Sequence, residues 1–156
     1  MKYTTHSEEE TASFGFALGN CLKKGDTVLL SGDLGAGKSV LARGIARAKG
    51  VRGAMASPTF TLMQPYEGTE KVYHFDLYRL ADADELYAAG LDEYIGTDGI
   101  ALVEWPIEDT VAPPYVEIHL RRGEDDAARA IQVRICGMKE RERAIAMALS
   151  AWEDTE

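Results

Sequence analysis

The chain is poor in the residues that mark disulfide-rich, zinc-binding or membrane proteins. It has 2 cysteines and 3 histidines among 156 residues, with no C-x-x-C pair and no Cys/His metal spacing. We therefore expect Cys21 and Cys136 to be buried thiols in a reducing compartment. No run of 18 apolar residues occurs, and the opening MKYTTHSEEE lacks the apolar core of a signal peptide. These absences predict a cytoplasmic protein without a membrane span.

Positive charge is also scarce. The chain has 17 Lys and Arg against 26 Asp and Glu, a formal net charge of −9. Proteins bind nucleic-acid phosphates through clustered Lys and Arg, so we do not expect this surface to bind nucleic acid unaided. Arg121 and Arg122 are followed by Glu124, Asp125 and Asp126, which indicates the solvated end of a hairpin. A role on nucleic acid would come through a basic partner.

A phosphate-binding loop is the most informative motif of the chain. The apolar strand Thr27–Ser31 leads into G-x4-G-K-S, and a helical stretch follows up to Gly50. Glycines let backbone N–H groups approach a phosphate, and the start of the helix adds a positive dipole. Lys38 would reach the β- and γ-phosphates, and the Ser39 hydroxyl would ligate Mg²⁺. We predict that a nucleoside triphosphate binds to Asp33, Leu34, Gly35, Ala36, Gly37, Lys38, Ser39 and Val40.

Two other nucleotide classes are disfavoured by missing motifs. The loop glycines follow the order G-x-x-G-x-G and not the G-x-G-x-x-G of dinucleotide-binding folds. Neither N-K-x-D nor D-x-x-G occurs anywhere in the chain, which argues against guanine specificity. ATP is therefore the expected ligand.

Periodicity and turn residues predict a single domain over residues 1–156. Its fold class is α/β, a P-loop NTPase-like three-layer fold whose central sheet is largely parallel and carries an antiparallel hairpin at its flank. Before the P-loop unit we predict a helix that is opened by the capping box of Ser7 and Glu10 and ends near Lys23–Gly25. After it we predict a hairpin of strands 61–68 and 71–80, a short helix capped by Asp82 with Glu85, and a second helical turn from Leu91. The last predicted elements are a strand Gly99–Trp105, a hairpin of strands 112–122 and 128–136, and a final helix Lys139–Trp152.

Two acidic residues stand where such a sheet places its ligand. Glu104 ends the apolar run Ile100–Val103, and Asp76 follows Val72–Phe75. Ligands of open α/β sheets sit at the carboxyl ends of the strands. One acid would bind Mg²⁺, and the other would orient or deprotonate the attacking water. Sequence spacing leaves open which acid does which.

Four further residues each have a functional and a structural interpretation. Thr59 lies on a loop of the kind that senses the γ-phosphate, or it is a plain residue at the start of a strand. His74 is a hydrogen-bond partner of Asp76 or a core histidine. Arg79 stabilises developing charge or makes a surface salt bridge. Trp105 packs over the site and contacts a partner, or it belongs to the core.

Several motifs occur together in order: GDLGAGKS, SPTFTLMQPYEG, VYHFDLYRLAD, the stretch from Glu85 to Tyr94, and LVEWP. With them the chain resembles the bacterial TsaE (YjeE) family, the P-loop ATPase of tRNA threonylcarbamoyladenosine biosynthesis. The resemblance covers roughly residues 7 to 120. The combination of SPTF, HFDLYR and VEW is far more specific than the phosphate-binding loop alone.

The resemblance implies an ATPase that acts on the TsaD–TsaB pair, which transfers threonylcarbamoyl to adenosine 37 of tRNAs reading codons that begin with A. It implies that Lys38 holds phosphates, Ser39 and Glu104 ligate Mg²⁺, Asp76 supports hydrolysis, and Trp105 couples nucleotide state to the partner. Hydrolysis would be weak without the partner, and tRNA would be reached only through it. The chain departs from the family at Val40, where a second Thr is usual.

Two other classes of function remain open. A small-molecule P-loop kinase would use Asp76 as the base for a substrate hydroxyl, but no segment between the acids carries the clustered arginines of a kinase lid. A nucleotide-gated binding module would switch without meaningful catalysis. A screen of hydroxylated metabolites for ATP-dependent phosphorylation separates the kinase, and a turnover measurement separates the binding module.

Overall fold

Seven strands form one sheet with helices on both faces, in a computed structural model that describes residues 1–154. The last two residues of the predicted domain, 155 and 156, lie outside the described part. The strands are β1 (Lys2–Thr5), β2 (Thr27–Ser31), β3 (Met63–Tyr66), β4 (Lys71–Asp76), β5 (Gly99–Glu104), β6 (Tyr115–Arg122) and β7 (Arg129–Cys136). The α-helices are α1 (Glu8–Gly19), α2 (Lys38–Ala48), α3 (Ala83–Ala88) and α4 (Glu142–Ala148). Three 3₁₀ turns cover Leu91–Tyr94, Lys139–Arg141 and Ser150–Trp152.

The strand order is β1-β7-β6-β2-β5-β4-β3. The central group consists of four mutually parallel strands, β6, β2, β5 and β4. Antiparallel strands flank it: β7 and β1 follow β6 on one side, and β3 follows β4 on the other. This confirms the predicted three-layer α/β fold, including the antiparallel hairpin β6–β7. Because β2, β4 and β5 run in the same direction, their carboxyl ends meet at one edge of the sheet.

Two apolar cores lie on opposite faces of the sheet. Along each strand, alternate residues face opposite sides, so β4 and β5 contribute to both cores. The larger core joins the sheet to α1, α2 and α4, and the smaller one joins it to α3. α1 and α2 touch closely, since a Cβ on Gly15 would lie 2.3 Å from the Leu41 carbonyl oxygen. This packing fixes the helix that begins at the phosphate-binding loop.

Both predicted helix caps are confirmed. The Ser7 hydroxyl accepts from the Glu10 N–H at 3.0 Å, and the Glu10 carboxylate accepts from the His6 N–H at 3.1 Å. At α3 the Asp82 carboxylate accepts from the Glu85 N–H at 3.1 Å. Each of these pairs closes within a few residues, which is why sequence spacing could predict it.

Several element boundaries differ from the prediction. α1 ends at Gly19 instead of near Lys23–Gly25. In the loop that follows, backbone groups bond to side chains instead of continuing the helix: the Lys23 N–H donates to Asp26, and the Cys21 carbonyl accepts from Arg141. α2 ends at Ala48, two residues before Gly50. The final helix is broken into two 3₁₀ turns and the short α4.

Other differences concern the sheet and the thiols. β1 was not predicted: it is a four-residue edge strand, held by backbone pairing to β7 rather than by an apolar pattern of its own. β4 ends at Asp76 and not at Leu80. Cys21 and Cys136 are free thiols but only half-buried, and partial burial raises the pKa of Cys21. Among the described residues, no helix combines the length and the apolar character needed to cross a membrane.

Candidate active site at the phosphate-binding loop

The loop between β2 and α2 has the backbone shape that a phosphate cradle needs. Gly32, Gly35 and Gly37 all have positive φ, and a Cβ on Gly32 would lie 2.5 Å from the Leu120 carbonyl oxygen. Gly37 caps α2, and no side chain among residues 1–154 caps the first N–H groups of the helix, which have no partner within the helix itself. These free donors and the helix dipole favour an anion there.

Lys38 lies inside this loop and is only 5 % exposed. Its ammonium donates to the Asp33 carbonyl at 2.9 Å and to the Gly32 carbonyl, and it stands 4.2 Å from the centre of the Trp105 ring. Desolvation lowers the pKa of Lys38, while the negative charges of Glu104, Asp76 and Asp33 act to raise it. A buried cation held by weak neutral acceptors is ready to exchange them for phosphate oxygens.

Glu104 ends β5 next to this ammonium and is 4 % exposed. Its two carboxylate oxygens lie 3.3 Å and 3.4 Å from the Ser39 hydroxyl. On its other side, His74 Nε2 lies 2.5 Å from Oε2 of Glu104. His74 is buried and its Nδ1 has no partner among residues 1–154, so we assign the proton to Nε2, which donates to Glu104. His74 is thus a buried histidine that bonds to Glu104, and of its two interpretations the bond to Asp76 is not found among residues 1–154.

Asp76 ends β4 and stands directly opposite Glu104 in the parallel register. One of its oxygens accepts from the Tyr78 N–H at 3.0 Å. The other lies 3.4 Å from the Thr59 hydroxyl, which is also 2.8 Å from Ser57. The two acids are therefore neighbours at the carboxyl edge of the sheet, and Thr59 contacts one of them from its loop.

Trp105 directly follows Glu104 and has a φ of +56°, which is uncommon for an aromatic residue. Its N–H donates to the Leu30 carbonyl at 3.1 Å, which ties this bend to β2. Its ring packs against Tyr78, with 4.7 Å between ring centres, and against the Lys38 ammonium. Trp105 is thus a half-buried lid over the lysine and not a core residue.

Arg79 contacts an aromatic ring outside the cavity lining. Its guanidinium lies 5.3 Å from the centre of the Phe60 ring, and Phe60 is 84 % exposed. Neither an ion pair nor a place at the cavity wall is found for Arg79 in the described part of the chain. The structure does not place Arg79 with the other predicted residues.

A cavity of about 550 Å³ joins these groups. It is lined by Glu8, Thr11, Leu34, Gly35, Gly37, Lys38, Ser39, Val40, Ser57, Thr59, Asp76, Glu104, Trp105, Asp126, Ala127 and Arg129. Of the predicted ATP-binding residues, Asp33 and Ala36 do not line this cavity: Asp33 is exposed and offers its carbonyl to Lys38, and the Ala36 side chain is buried in the core. His74 lies behind Glu104.

A magnesium ion would find oxygen donors here. The Ser39 hydroxyl and the Glu104 carboxylate converge within 3.4 Å, and hydroxyl and carboxylate oxygens suit Mg²⁺, which takes its other ligands from water and substrate phosphates. Among residues 1–154 no cluster of three or more acidic, His or Cys side chains forms a complete protein cage. The donor set therefore fits a metal that arrives with a nucleotide.

Sequence reasoning missed the outer wall of the cavity. Glu8 and Thr11 come from α1, and Asp126, Ala127 and Arg129 come from the β6–β7 turn. The sequence does contain one indication of this wall, at Arg129. Arg129 has the same strand parity as Ile131 and Val133, so it is a cation on the apolar face of β7. The structure shows why: its guanidinium bonds to the phosphate-binding loop.

Comparison with protein families gives a match over residues 5–131, to the family described as threonylcarbamoyl adenosine biosynthesis protein TsaE. The matched range contains the phosphate-binding loop, both acids, Trp105 and Arg129.

Individual relatives agree. The tRNA threonylcarbamoyladenosine biosynthesis protein TsaE of Bacillus subtilis is 38% identical over 129 residues, 81% of this chain and 80% of that protein. Its namesake in Haemophilus influenzae is 43% identical over 112 residues, 71% of each chain. Among solved structures, that of Bacillus subtilis YdiB superposes with a TM-score of 0.78 at 32% identity and covers 97% of this chain and 94% of its own.

Proposed function

Because the chain belongs to the TsaE family, we propose that it is an Mg²⁺-dependent ATPase of tRNA threonylcarbamoyladenosine biosynthesis. It would support threonylcarbamoylation of adenosine 37 in tRNAs reading codons that begin with A, by acting on the TsaD–TsaB complex and not as the transferase. One observation carries the ATPase assignment: the phosphate-binding loop and the two adjacent acids, Asp76 and Glu104, open into one cavity. A role on tRNA supports a cytoplasmic location.

Phosphate binding falls to Lys38 and the loop N–H groups. The Lys38 ammonium is held by two neutral carbonyls, and charged phosphate oxygens are stronger acceptors. It would therefore turn from the loop to the β- and γ-phosphates. The cavity volume of about 550 Å³ lies within the usual range for small-molecule sites.

Metal binding falls to Ser39 and Glu104. Bound Mg²⁺ would supply positive charge that offsets the negative charge of the phosphates. His74 donates to the Glu104 carboxylate from behind and holds it toward Ser39. Such hydrogen bonds orient a ligating carboxylate and are often needed for full metal affinity.

Water activation falls to Asp76. Its carboxylate has one well-formed hydrogen bond, to the Tyr78 N–H, and a long contact to Thr59, so it can still accept from a water molecule. In that attack a water oxygen–phosphorus bond would form and the bond to the β–γ bridging oxygen would break, so that ADP and phosphate leave. Asp76 would take one proton of the water, and the phosphate would keep the other. Thr59 would report the state of the γ-phosphate to its loop.

Trp105 offers a path from the nucleotide to the partner. Its ring contacts Lys38 on one side and Tyr78 on the other, and Tyr78 is 56% exposed. If Lys38 moved onto a phosphate, the Trp105 ring would lose its contact with the ammonium. A partner that contacts Tyr78 would thereby sense the bound nucleotide. The net charge of −9 fits a helper that docks on a tRNA-bound complex without contacting tRNA itself.

Steady-state ATP hydrolysis by the purified chain, alone and with the TsaD–TsaB pair, tests the proposal. We expect a low basal rate that rises clearly when the pair is added. Lys38→Ala is the control and should abolish both rates while the chain stays folded. The proposal would be contradicted if the rate of ATP hydrolysis did not change when the TsaD–TsaB pair was added and tRNA modification proceeded without the chain.

A further inference from the structure

One guanidinium ties the phosphate-binding loop to the turn of the β6–β7 hairpin. Arg129 Nε donates to the Ala36 carbonyl at 2.9 Å, and its Nη2 donates to the Gly35 carbonyl at 3.3 Å. Its Nη1 donates to the carbonyls of Asp126 at 2.6 Å and Ala128 at 2.8 Å. A single planar group therefore spans two segments that are 93 positions apart in sequence.

These contacts orient peptide groups that face the nucleotide. In a trans peptide the C=O and the following N–H point in opposite directions. Because Arg129 holds the Gly35 and Ala36 carbonyls, the N–H groups of Ala36 and Gly37 point away from its guanidinium. The Ala36 N–H donates to the Asp33 carbonyl at 3.0 Å, which leaves the Gly37 N–H for a phosphate. Backbone N–H groups are what a phosphate-binding loop uses to hold phosphate.

Arg129 forms no ion pair with an acid in the described part of the chain. All four of its acceptors are backbone carbonyls. By contrast, Arg141 and Arg134 each bond to a carboxylate, at 2.6 Å and 3.0 Å. Arg129 lines the cavity, so its positive charge lies beside the place where phosphates would bind.

The hairpin turn holds Arg129 in this position. The Asp125 carboxylate accepts from the N–H groups of Ala127 and Ala128, at 3.0 Å and 2.9 Å. Gly123 donates to the Ala128 carbonyl at 2.8 Å, and a Cβ at Gly123 would lie 2.7 Å from the Ala128 Cβ. The turn is therefore closely packed, and the guanidinium is oriented before any nucleotide arrives.

We propose that Arg129 is a positioning residue for nucleotide binding, which holds the phosphate-binding loop so that the Gly37 N–H can donate to a phosphate. The inference rests on the proposed ATP binding and adds a residue from the far end of the chain to that site. It acts in the ground state and the transition state alike, so its loss should raise KM more than it lowers kcat.

Calorimetric titration of Arg129→Met with ATP and ADP tests this. We expect both dissociation constants to rise about tenfold or more, as for the loss of charged hydrogen bonds, with a matching rise in KM and a much smaller change in kcat. Arg134→Met is the matched control: it removes the same charge from an exposed site on the same strand, and it should bind both nucleotides as the parent chain does.

Two further measurements separate positioning from simple stability. Thermal unfolding without nucleotide tells whether Arg129→Met is folded at the titration temperature. Arg129→Lys keeps the charge but cannot form the planar fork to both segments, so we expect it to remain weaker than the parent chain. Normal ATP affinity in folded Arg129→Met, or in Arg129→Lys if the Met variant does not fold, would overturn the inference. A parent chain that fails to bind ATP would instead overturn the proposed function.

Discussion

Two buried carboxylates at opposite ends of the sheet have different surroundings. Asp26 precedes β2 at the amino end and is 2% exposed. Its two oxygens accept from Arg141 at 2.9 Å and 2.6 Å, and one of them also accepts from the Lys23 N–H at 2.8 Å. The bond to Asp26 raises the pKa of Arg141. This acid has the bidentate partner that a buried charge requires.

Glu104, at the carboxyl end, is buried to a similar degree and also has three hydrogen-bond contacts, but two of them are long. Its one short contact is to His74, at 2.5 Å, and its contacts to Ser39 are longer than 3.2 Å. His74 itself retains an unpartnered Nδ1 within the described residues. Burial is therefore alike at the two ends, and the lengths and partners of the hydrogen bonds differ: Asp26 has a bidentate guanidinium, whereas Glu104 has one short contact and two long ones. A carboxylate with open lone pairs is the one that can take a metal or a water.

The largest effect we expect comes from removing Asp26, the buried acid whose oxygens all have short hydrogen bonds. Asp26→Ala leaves Arg141 mostly buried without its acid, and the free energy of unfolding should fall by about 3 kcal/mol, the lower end for a broken buried pair because Arg141 keeps some exposure. Urea unfolding measures this. ATP affinity of the folded protein should not change, and a large loss of affinity would mean that the two ends are coupled.

Replacing Glu104, the acid with long contacts, should lower ATP hydrolysis without lowering the free energy of unfolding. Glu104→Gln keeps the shape and removes the charge, so we expect kcat for ATP hydrolysis to fall about 10²-fold, with weaker Mg²⁺ dependence. The free energy of unfolding should stay the same or rise, since a buried charge is lost. Normal Mg²⁺-dependent turnover would move the metal role to Asp76.

The contact behind Glu104 should have a smaller effect. His74→Leu removes the donor to the carboxylate, and we expect the Mg²⁺ concentration for half-maximal hydrolysis to rise about tenfold. His74→Gln is the matched variant: it retains an N–H donor and should recover part of the loss. Equal defects in both variants would show that the ring serves packing and not the position of Glu104.

The smallest expected effect concerns Val40, which lines the cavity where the family usually has Thr. Val40→Thr restores a hydroxyl, and ATP binding should strengthen by about 1 kcal/mol, one good hydrogen bond. Titration calorimetry checks this, with Val40→Ala as a control for the change of side-chain shape. An unchanged affinity in Val40→Thr would indicate that the backbone N–H already satisfies the phosphate.

Local features of this protein could be predicted from the sequence because their partners are near in the chain. The caps at Ser7 and Asp82 each join residues three positions apart, the phosphate-binding loop is one continuous stretch, and β6 and β7 are joined by a short turn. Asp76 and Glu104 were expected at the same edge because parallel strands bring their carboxyl ends together. Their assignment as catalytic and metal-binding residues stays a prediction.

Contacts between distant segments could not be predicted. β1 lacks a pattern of its own and pairs with β7 at the far end of the chain. His74 and Asp76 share one strand face, so spacing alone suggested that they pair, but the neighbouring strand places Glu104 closer to the ring. The interpretation of Arg122 as a solvated hairpin end was incomplete, since its exposed guanidinium lies beside Gly35 of the phosphate-binding loop.

The sequence by itself determined the fold class, the phosphate-binding loop and the two strand-end acids, because helix caps, strand alternation and loop glycines act over short distances. Only the tertiary structure decided which buried acid has a bidentate guanidinium and which has long contacts. It also brought Arg129 onto the loop across 93 positions of sequence. Such partners are set by strand order and sheet register, which bring distant segments into contact without leaving a local pattern.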